Sequence, residues 1–377
     1  MKLLFAMNNF YSSSVGMAVS ARRIAEELRS RGAEVRIVSG GMEGKPDYPL
    51  KKWDVPFFRK QLEAQRLYFA KRDPDLIREA VSWADLVHTF DPFPVSHQVL
   101  SEAYHQGKPR VGSFRFFPEN LTCAVNKGEW DGLNHSLRNG FREYIFNYCD
   151  VIVCPSKLVK KYLTDHDFRK GRLEIIPSGI PGSSPEQGWE RGPEDDGFRI
   201  LTAGRLTGEK NQITLLRAAE QSEYADRIHI TIAGAGQEEE ALREEGAKLP
   251  NPPEIRLMSP GELREAAARS DLYAQCSLAE TEGLACMESF ADGCVPVIAD
   301  APLSASREHA IDARHLFPAG DPAALAERID WWIEHPEELR RSSSQYRQYA
   351  LTFPMERTGD RLMHVYESLL SRSGTAV

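Results

Sequence analysis

A strand–helix rhythm runs twice along this chain, and it leaves little choice of fold. Residues 2–7 (Lys2-Leu3-Leu4-Phe5-Ala6-Met7) read as a buried strand. A loop follows, then an apolar-periodic helix over 17–31 that Gly32 ends, and a strand over 35–39. Further strands are predicted over 86–89, 110–114 and 150–154, with helices between them. This alternation is the signature of a parallel sheet with crossover helices. The stretch 177–198 is rich in Pro, Gly, Ser and acid and reads as an interdomain linker. The rhythm then restarts, with strands over 199–203, 228–233, 254–257, 272–275 and 295–299. Helices follow over 322–335, 337–350 and 357–370. Two Rossmann-like domains in series are the simplest architecture: 1–180, a linker 181–198, 199–353, and a closing segment 354–377.

The bulk properties agree. A chain of 377 residues, 41% hydrophobic, is too long for one ordinary core and suits two. No run of 18 apolar residues occurs, so no membrane span is predicted. The apolar start meets Asn8-Asn9 rather than a small-residue cleavage site, which argues against a signal peptide. Six cysteines (123, 149, 154, 276, 286, 294) show no C-x-x-C or zinc-like spacing. The expectation is a reducing, cytoplasmic protein with no structural metal. Residues 1–180 carry 27 Lys and Arg against 21 Asp and Glu; the remainder carries 20 against 34. Nucleic acid is therefore not an expected partner, while the first half alone could favour an anionic surface.

Three loops carry chemistry. The first is Gly204-Arg205-Leu206-Thr207-Gly208-Glu209-Lys210-Asn211, directly after a predicted strand. Ligands of open α/β sheets bind outside the carboxyl ends of strands, and two cations five residues apart there can clamp a diphosphate. The competing reading is two solvated surface cations. The second loop is Glu280-Thr281-Glu282-Gly283-Leu284-Ala285-Cys286-Met287-Glu288, which runs into a helix over 283–292. Its backbone N–H groups form an anion site. Glu280 stands at the mouth, and Glu288 lies among apolar neighbours where ribose hydroxyls could satisfy it. The competing reading is an exposed helix with ordinary acids, and Glu282 fits that description. The third loop is 8–16, ending in Gly16, where a glycine lets backbone approach a ligand. It is not G-x-G-x-x-G. The pair Gly234 and Gly236 reads as closure of a strand–helix turn.

A-G-R-L-x-x-x-K, then E-x-x-G-L-x-x-x-E, then Gly293-Cys294-Val295-Pro296-Val297-Ile298-Ala299 together resemble the family 4 glycosyltransferases. The resemblance extends to Gly16, to 150–156 and 175–180, to 318–329 and to the closing helix. The stretches 118–122 and 303–305 are similar to a branch acting on lipid-linked or surface-glycan acceptors. The resemblance implies an α/β GT-B fold, two Rossmann-like domains facing across a cleft, with the C-terminal helix returning to the N-terminal domain. It implies a retaining hexosyltransferase that needs no cofactor and takes a UDP- or GDP-linked sugar as co-substrate. Arg205 and Lys210 would bind the diphosphate and stabilise the leaving charge. Glu288 would hold the ribose, and Glu280 the transferred sugar. Gly204 and the backbone of Gly283, Leu284 and Ala285 would line the donor site, and Gly16 would let the first loop approach the phosphate.

In place of a histidine that the family often carries, this chain has Arg115, in Ser113-Phe114-Arg115-Phe116. Arg115 could select a charged donor sugar, bind an anionic acceptor, or accompany altered activity. His88, at another predicted strand end, could share a polar role or be structural. Asp73-Pro74-Asp75 reads as a helix cap rather than a metal site. The basic, aromatic stretch 50–72 reads either as a peripheral dock on the inner face of a membrane or as an ordinary insertion with its aromatics in the core. The competing functions are a binding protein for nucleotide sugars or glycans that lacks turnover, and another GT-B enzyme, such as a nucleotide-sugar epimerase or a glycogen-synthase-like polymerase. An oxidoreductase using NAD is disfavoured by the missing glycine fingerprint.

Overall fold

The computed structural model describes residues 1–12, 15–40, 44–53, 69–125, 131–168, 170–182 and 197–373. The chain forms two compact units, 1–179 with 355–377, and 180–354. Most of the expected linker and residues 54–68 of the basic, aromatic stretch lie outside the described residues.

The first unit holds a seven-stranded parallel sheet. Its spatial order is Tyr48–Leu50, Glu34–Gly40, Lys2–Ala6, Leu86–Thr89, Arg110–Ser113, Val151–Cys154, Arg172–Ile175. The second holds six parallel strands in the order Glu254–Arg256, Ile228–Ala233, Phe198–Ala203, Leu272–Gln275, Val295–Asp300, Leu316–Pro318. In each sheet the chain starts in the middle, runs to one edge, and returns to build the other half. The order reverses between Lys2–Ala6 and Leu86–Thr89 in one unit, and between Phe198–Ala203 and Leu272–Gln275 in the other. Such a reversal opens a crevice at the carboxyl ends of the two strands.

Side-chain alternation explains why both sheets are covered on both faces. Ile200, Val295 and Val297 pack into one core cluster with Leu215, Leu216 and Trp332. Leu201 and Ile298 point the other way, into a cluster with Met287, Phe290 and Tyr346. In the first unit, Leu3, Phe5, Ile37 and Val111 meet Ile24 and Leu28 of the helix Gly16–Ser30. Leu362, Val365 and Tyr366 of the last helix, Met355–Ser373, complete that same core. Sequence reading starts this helix two residues late and misses the short edge strands Tyr48–Leu50, Arg172–Ile175 and Leu316–Pro318.

For His88, where a polar role at the site and a structural one were both open, the surroundings favour the structural one. It is fully buried at mid-sheet. Its Nδ1 lies 2.7 Å from the Tyr366 hydroxyl and its Nε2 2.9 Å from Ser113 Oγ. Its ring stacks on Phe90 with centroids 4.2 Å apart. Burial, reinforced by the Arg115 charge, pushes its pKa well below the ordinary histidine value. Tyr366→Phe leaves a buried ring nitrogen without that partner and is expected to cost about 1–3 kcal/mol, read by urea denaturation.

Candidate active site

In the second unit the crevice is built by two loops packed backbone on backbone. The strand Phe198–Ala203 ends in Gly204, whose φ of 149° suits glycine. Gly204 N donates to Ala233 O, and Leu206 N donates to Ala235 O, each at 3.0 Å. A Cβ at Gly234 would lie 1.9 Å from Gly204 O, and one at Gly236 2.3 Å from Leu206 O. The two glycines therefore do more than close a turn: their missing side chains set the path of the Arg205 loop.

That loop carries two ion pairs. Arg205 Nη2 lies 2.7 Å from Glu209 Oε1, and Glu209 is completely buried. Sequence reading did not single out Glu209. The Glu209 carbonyl also accepts from Leu278 N at 2.8 Å, which ties the loop to the chain leaving the strand Leu272–Gln275. Lys210 pairs through Nζ with Glu280 Oε2, both side chains being 17% exposed. Arg205, Lys210 and Glu280 thus converge at the switch point of one sheet.

Glu280 belongs to a two-residue strand, Ala279–Glu280, paired with Leu303–Ser304. Gly283 follows with φ 85° and ψ 45°, and a Cβ there would lie 2.3 Å from Ser306 Oγ. Both the left-handed backbone and the missing space demand glycine. The helix Leu284–Ala291 starts here with no side-chain cap. Its first N–H groups, those of Leu284 and Ala285 among them, have no partner within the helix, which is the arrangement by which helix N-termini can receive anions. Glu288, one turn further on, is half-buried between the buried Met287 and Ser289. Glu282 departs from the expected exposed acid: it is only 5% exposed. Thr207 Oγ1, Glu209 Oε2, Ser304 Oγ and Ser306 Oγ are buried with no hydrogen-bond partner among the described residues. Sequence reading did not select these groups, because burial of a common loop hydroxyl has no local signature.

In the first unit, the loop after Lys2–Ala6 is pinned from several sides. Phe10 N donates to Ser39 Oγ at 2.9 Å, and Arg22 Nη1 donates to the Phe10 and Ser12 carbonyls at 2.8 Å. Asn9 is 4% exposed, and neither its amide oxygen nor its nitrogen has a partner among the described residues. Gly16 opens the following helix, and a Cβ there would meet none of the described residues within 4 Å. Arg115, just beyond the strand Arg110–Ser113, is 8% exposed and donates through Nη1 to Ser178 Oγ. Asp73 caps the helix Pro74–Trp83 by accepting from Leu76 N at 3.2 Å, and Asp75 pairs with Arg78. Lys51, Lys52 and Trp53 are exposed.

Asp91 follows the strand Leu86–Thr89 and is buried. Its carboxylate accepts from Asn8 N, Ser96 Oγ and Phe93 N. Burial outweighs these donors and pushes its pKa up to about 6. A folded-state value raised above 3.8 means that the native state binds the proton more tightly. The contribution of Asp91 to stability is therefore present at acid pH and is lost as pH rises from about 4 through 6. The stability difference between the unsubstituted protein and Asp91→Asn is expected to fall by about 2 kcal/mol between pH 4 and pH 7. Denaturation measured across that range checks it.

Residues 15–182 match the description Glycosyltransferase Family 4, and residues 183–349 match Glycosyl transferases group 1. The chain belongs to the family 4 glycosyltransferases. It is 24% identical to alpha-monoglucosyldiacylglycerol synthase of Streptococcus pneumoniae, over 79% of this chain and 71% of the relative. It is 23% identical to phosphatidyl-myo-inositol mannosyltransferase of Mycobacterium leprae, over 96% and 95% of the two chains. Its fold matches that of HepE from Anabaena, solved in complex with UDP and glucose, with a TM-score of 0.70 at 17% identity over 98% and 100% of the chains. The two Rossmann-like units are those of a GT-B glycosyltransferase. Among the described helices none is long and apolar enough to cross a membrane.

Proposed function

We propose that this glycosyltransferase moves a hexose, with retention, from a UDP- or GDP-linked donor to a lipid or glycan hydroxyl, without a metal. The observation that carries the reading is the Lys210–Glu280 pair, which joins the cationic loop to the turn that starts the helix Leu284–Ala291. Arg205, Lys210 and the first N–H groups of that helix would meet the diphosphate. Glu288 would take the ribose hydroxyls, and Glu280 the sugar. Gly204, Gly283, Leu284 and Ala285 would present backbone to the donor. In the first unit, a Cβ at Gly16 would meet none of the described residues within 4 Å, and the Asn9 amide offers a donor and an acceptor, which supports a phosphate-facing role for this loop. The relatives whose names specify lipids, a glucosyldiacylglycerol and a phosphatidylinositol, support a lipid acceptor. The exposed Lys51, Lys52 and Trp53 support contact with the inner face of a membrane.

Cleavage of the anomeric bond leaves negative charge on the diphosphate and positive charge on the sugar ring. Fixed cations and helix dipoles aimed at the first lower the barrier. The acceptor hydroxyl approaches from the leaving-group face. Its oxygen bonds to the anomeric carbon as the phosphate oxygen departs, and its proton passes to that oxygen. Glu280 is engaged by Lys210, which suits a sugar-hydroxyl acceptor better than a nucleophile. Turnover is expected to be unchanged by excess EDTA, and the product's anomeric coupling in proton NMR is expected to match the donor's. Loss of turnover with EDTA, or an inverted product, would contradict the proposal.

A further inference from the structure

The turn that carries Glu280, Glu282 and Gly283 is contacted from behind by His309. His309 Nε2 lies 3.2 Å from the Glu282 carbonyl, and its Nδ1 lies 3.1 Å from the Tyr349 hydroxyl. A carbonyl only accepts, so Nε2 carries the proton and Nδ1 accepts from Tyr349. The chain of donors runs Tyr349 to His309 to Glu282. Tyr349 belongs to the helix Pro336–Ala350. The backbone of His309 is fixed as well, its carbonyl accepting from the Tyr346 hydroxyl at 3.1 Å. The ring is boxed by Phe290, 5.9 Å away on the helix Leu284–Ala291, and by Phe353 at 5.7 Å. Burial pushes the His309 pKa down to about 4, so the ring stays in this one state at neutral pH. The same short segment, Ala305–His309, places Ser306 directly behind Gly283.

We propose that His309 is a positioning residue for the donor turn, its Nε2–H holding the Glu282 carbonyl so that Glu280 and the first N–H groups of the helix Leu284–Ala291 keep their aim. This rests on the donor-site reading for its consequence in catalysis, but the clamp itself does not. A backbone carbonyl gripped by a rigid aromatic box restrains a left-handed glycine turn that has no side-chain cap of its own. The donor geometry then depends on a residue that touches no substrate. Loss of a support of this kind lowers kcat more than it raises KM, because misplacement harms the transition state first.

Hydrogen–deuterium exchange over 280–287 tests the clamp without any donor, in the unsubstituted protein, His309→Leu, His309→Gln and Tyr349→Phe. Gln reaches the Glu282 carbonyl with its own N–H, whereas Leu fills the box without a donor. His309→Leu is expected to raise exchange at 280–287 more than tenfold while 198–203 stays unchanged. His309→Gln is expected to remain within about threefold of the unsubstituted protein, and Tyr349→Phe to fall between. Unchanged exchange in His309→Leu overturns the proposal. So does equal exchange in the Leu and Gln variants, or a rise shared by 198–203, since each would reduce His309 to general packing. Failure of the donor reading would show separately, as absence of UDP and GDP binding to the unsubstituted protein by calorimetry.

Discussion

Arg205→Ala and Lys210→Ala are each expected to cut turnover about a hundredfold, on the order of 3 kcal/mol of lost transition-state stabilisation. Their effects on the fold are expected to differ, because their partners differ. Lys210 pairs with Glu280, which keeps 17% of its side chain exposed, so Lys210→Ala is expected to destabilise the protein less than Arg205→Ala does. Arg205 pairs with Glu209, which is completely buried. Arg205→Ala strands that carboxylate and is expected to destabilise the protein by about 3–5 kcal/mol. Arg205→Ala with Glu209→Gln removes the stranded charge and is expected to recover most of the stability but none of the turnover. Denaturation and steady-state kinetics on the same four proteins separate the two roles. Recovery of turnover in the double variant would show that Arg205 serves only to neutralise Glu209.

Gly234→Val is the second large effect. The first atom of any side chain there would sit 1.9 Å from the Gly204 carbonyl oxygen, a backbone atom that cannot step aside alone. The Arg205 loop must move, with a cost of about 3 kcal/mol from overpacking and a loss of nucleotide affinity of at least tenfold. Gly261→Ala is the control, since a Cβ there meets none of the described residues within 4 Å. It is expected to leave both stability and nucleotide binding as they are. Calorimetric titration with UDP and GDP reads the affinity, and urea denaturation reads the stability.

Much of the architecture is legible in the sequence because burial on both sheet faces forces apolar runs at strand positions. Strands such as Ile228–Ala233 and Leu272–Gln275 were readable to the residue. The edge strand Arg172–Ile175 was not, since its burial pattern is partial and its apolar content low. In the candidate site, charge and glycine spacing pointed to Arg205, Lys210, Glu280 and Gly283, which the structure gathers at one switch point. Glu209, Ser304 and Ser306 were not legible, because what distinguishes them is burial imposed by loops distant in sequence. His88 was ambiguous for the opposite reason. A strand-end histidine looks alike whether it faces a ligand or, as here, a tyrosine 278 residues away.

The measurement that tests the central claim most directly is a thermal-shift screen of the unsubstituted protein against UDP, GDP, ADP and their common sugar conjugates. The account predicts that one nucleotide family raises the melting temperature, its sugar conjugate included, in proportion to the logarithm of ligand concentration above Kd. No shift from any of these ligands, with the protein shown to be folded, would contradict the donor-site assignment and leave the Lys210–Glu280 pair as a structural contact.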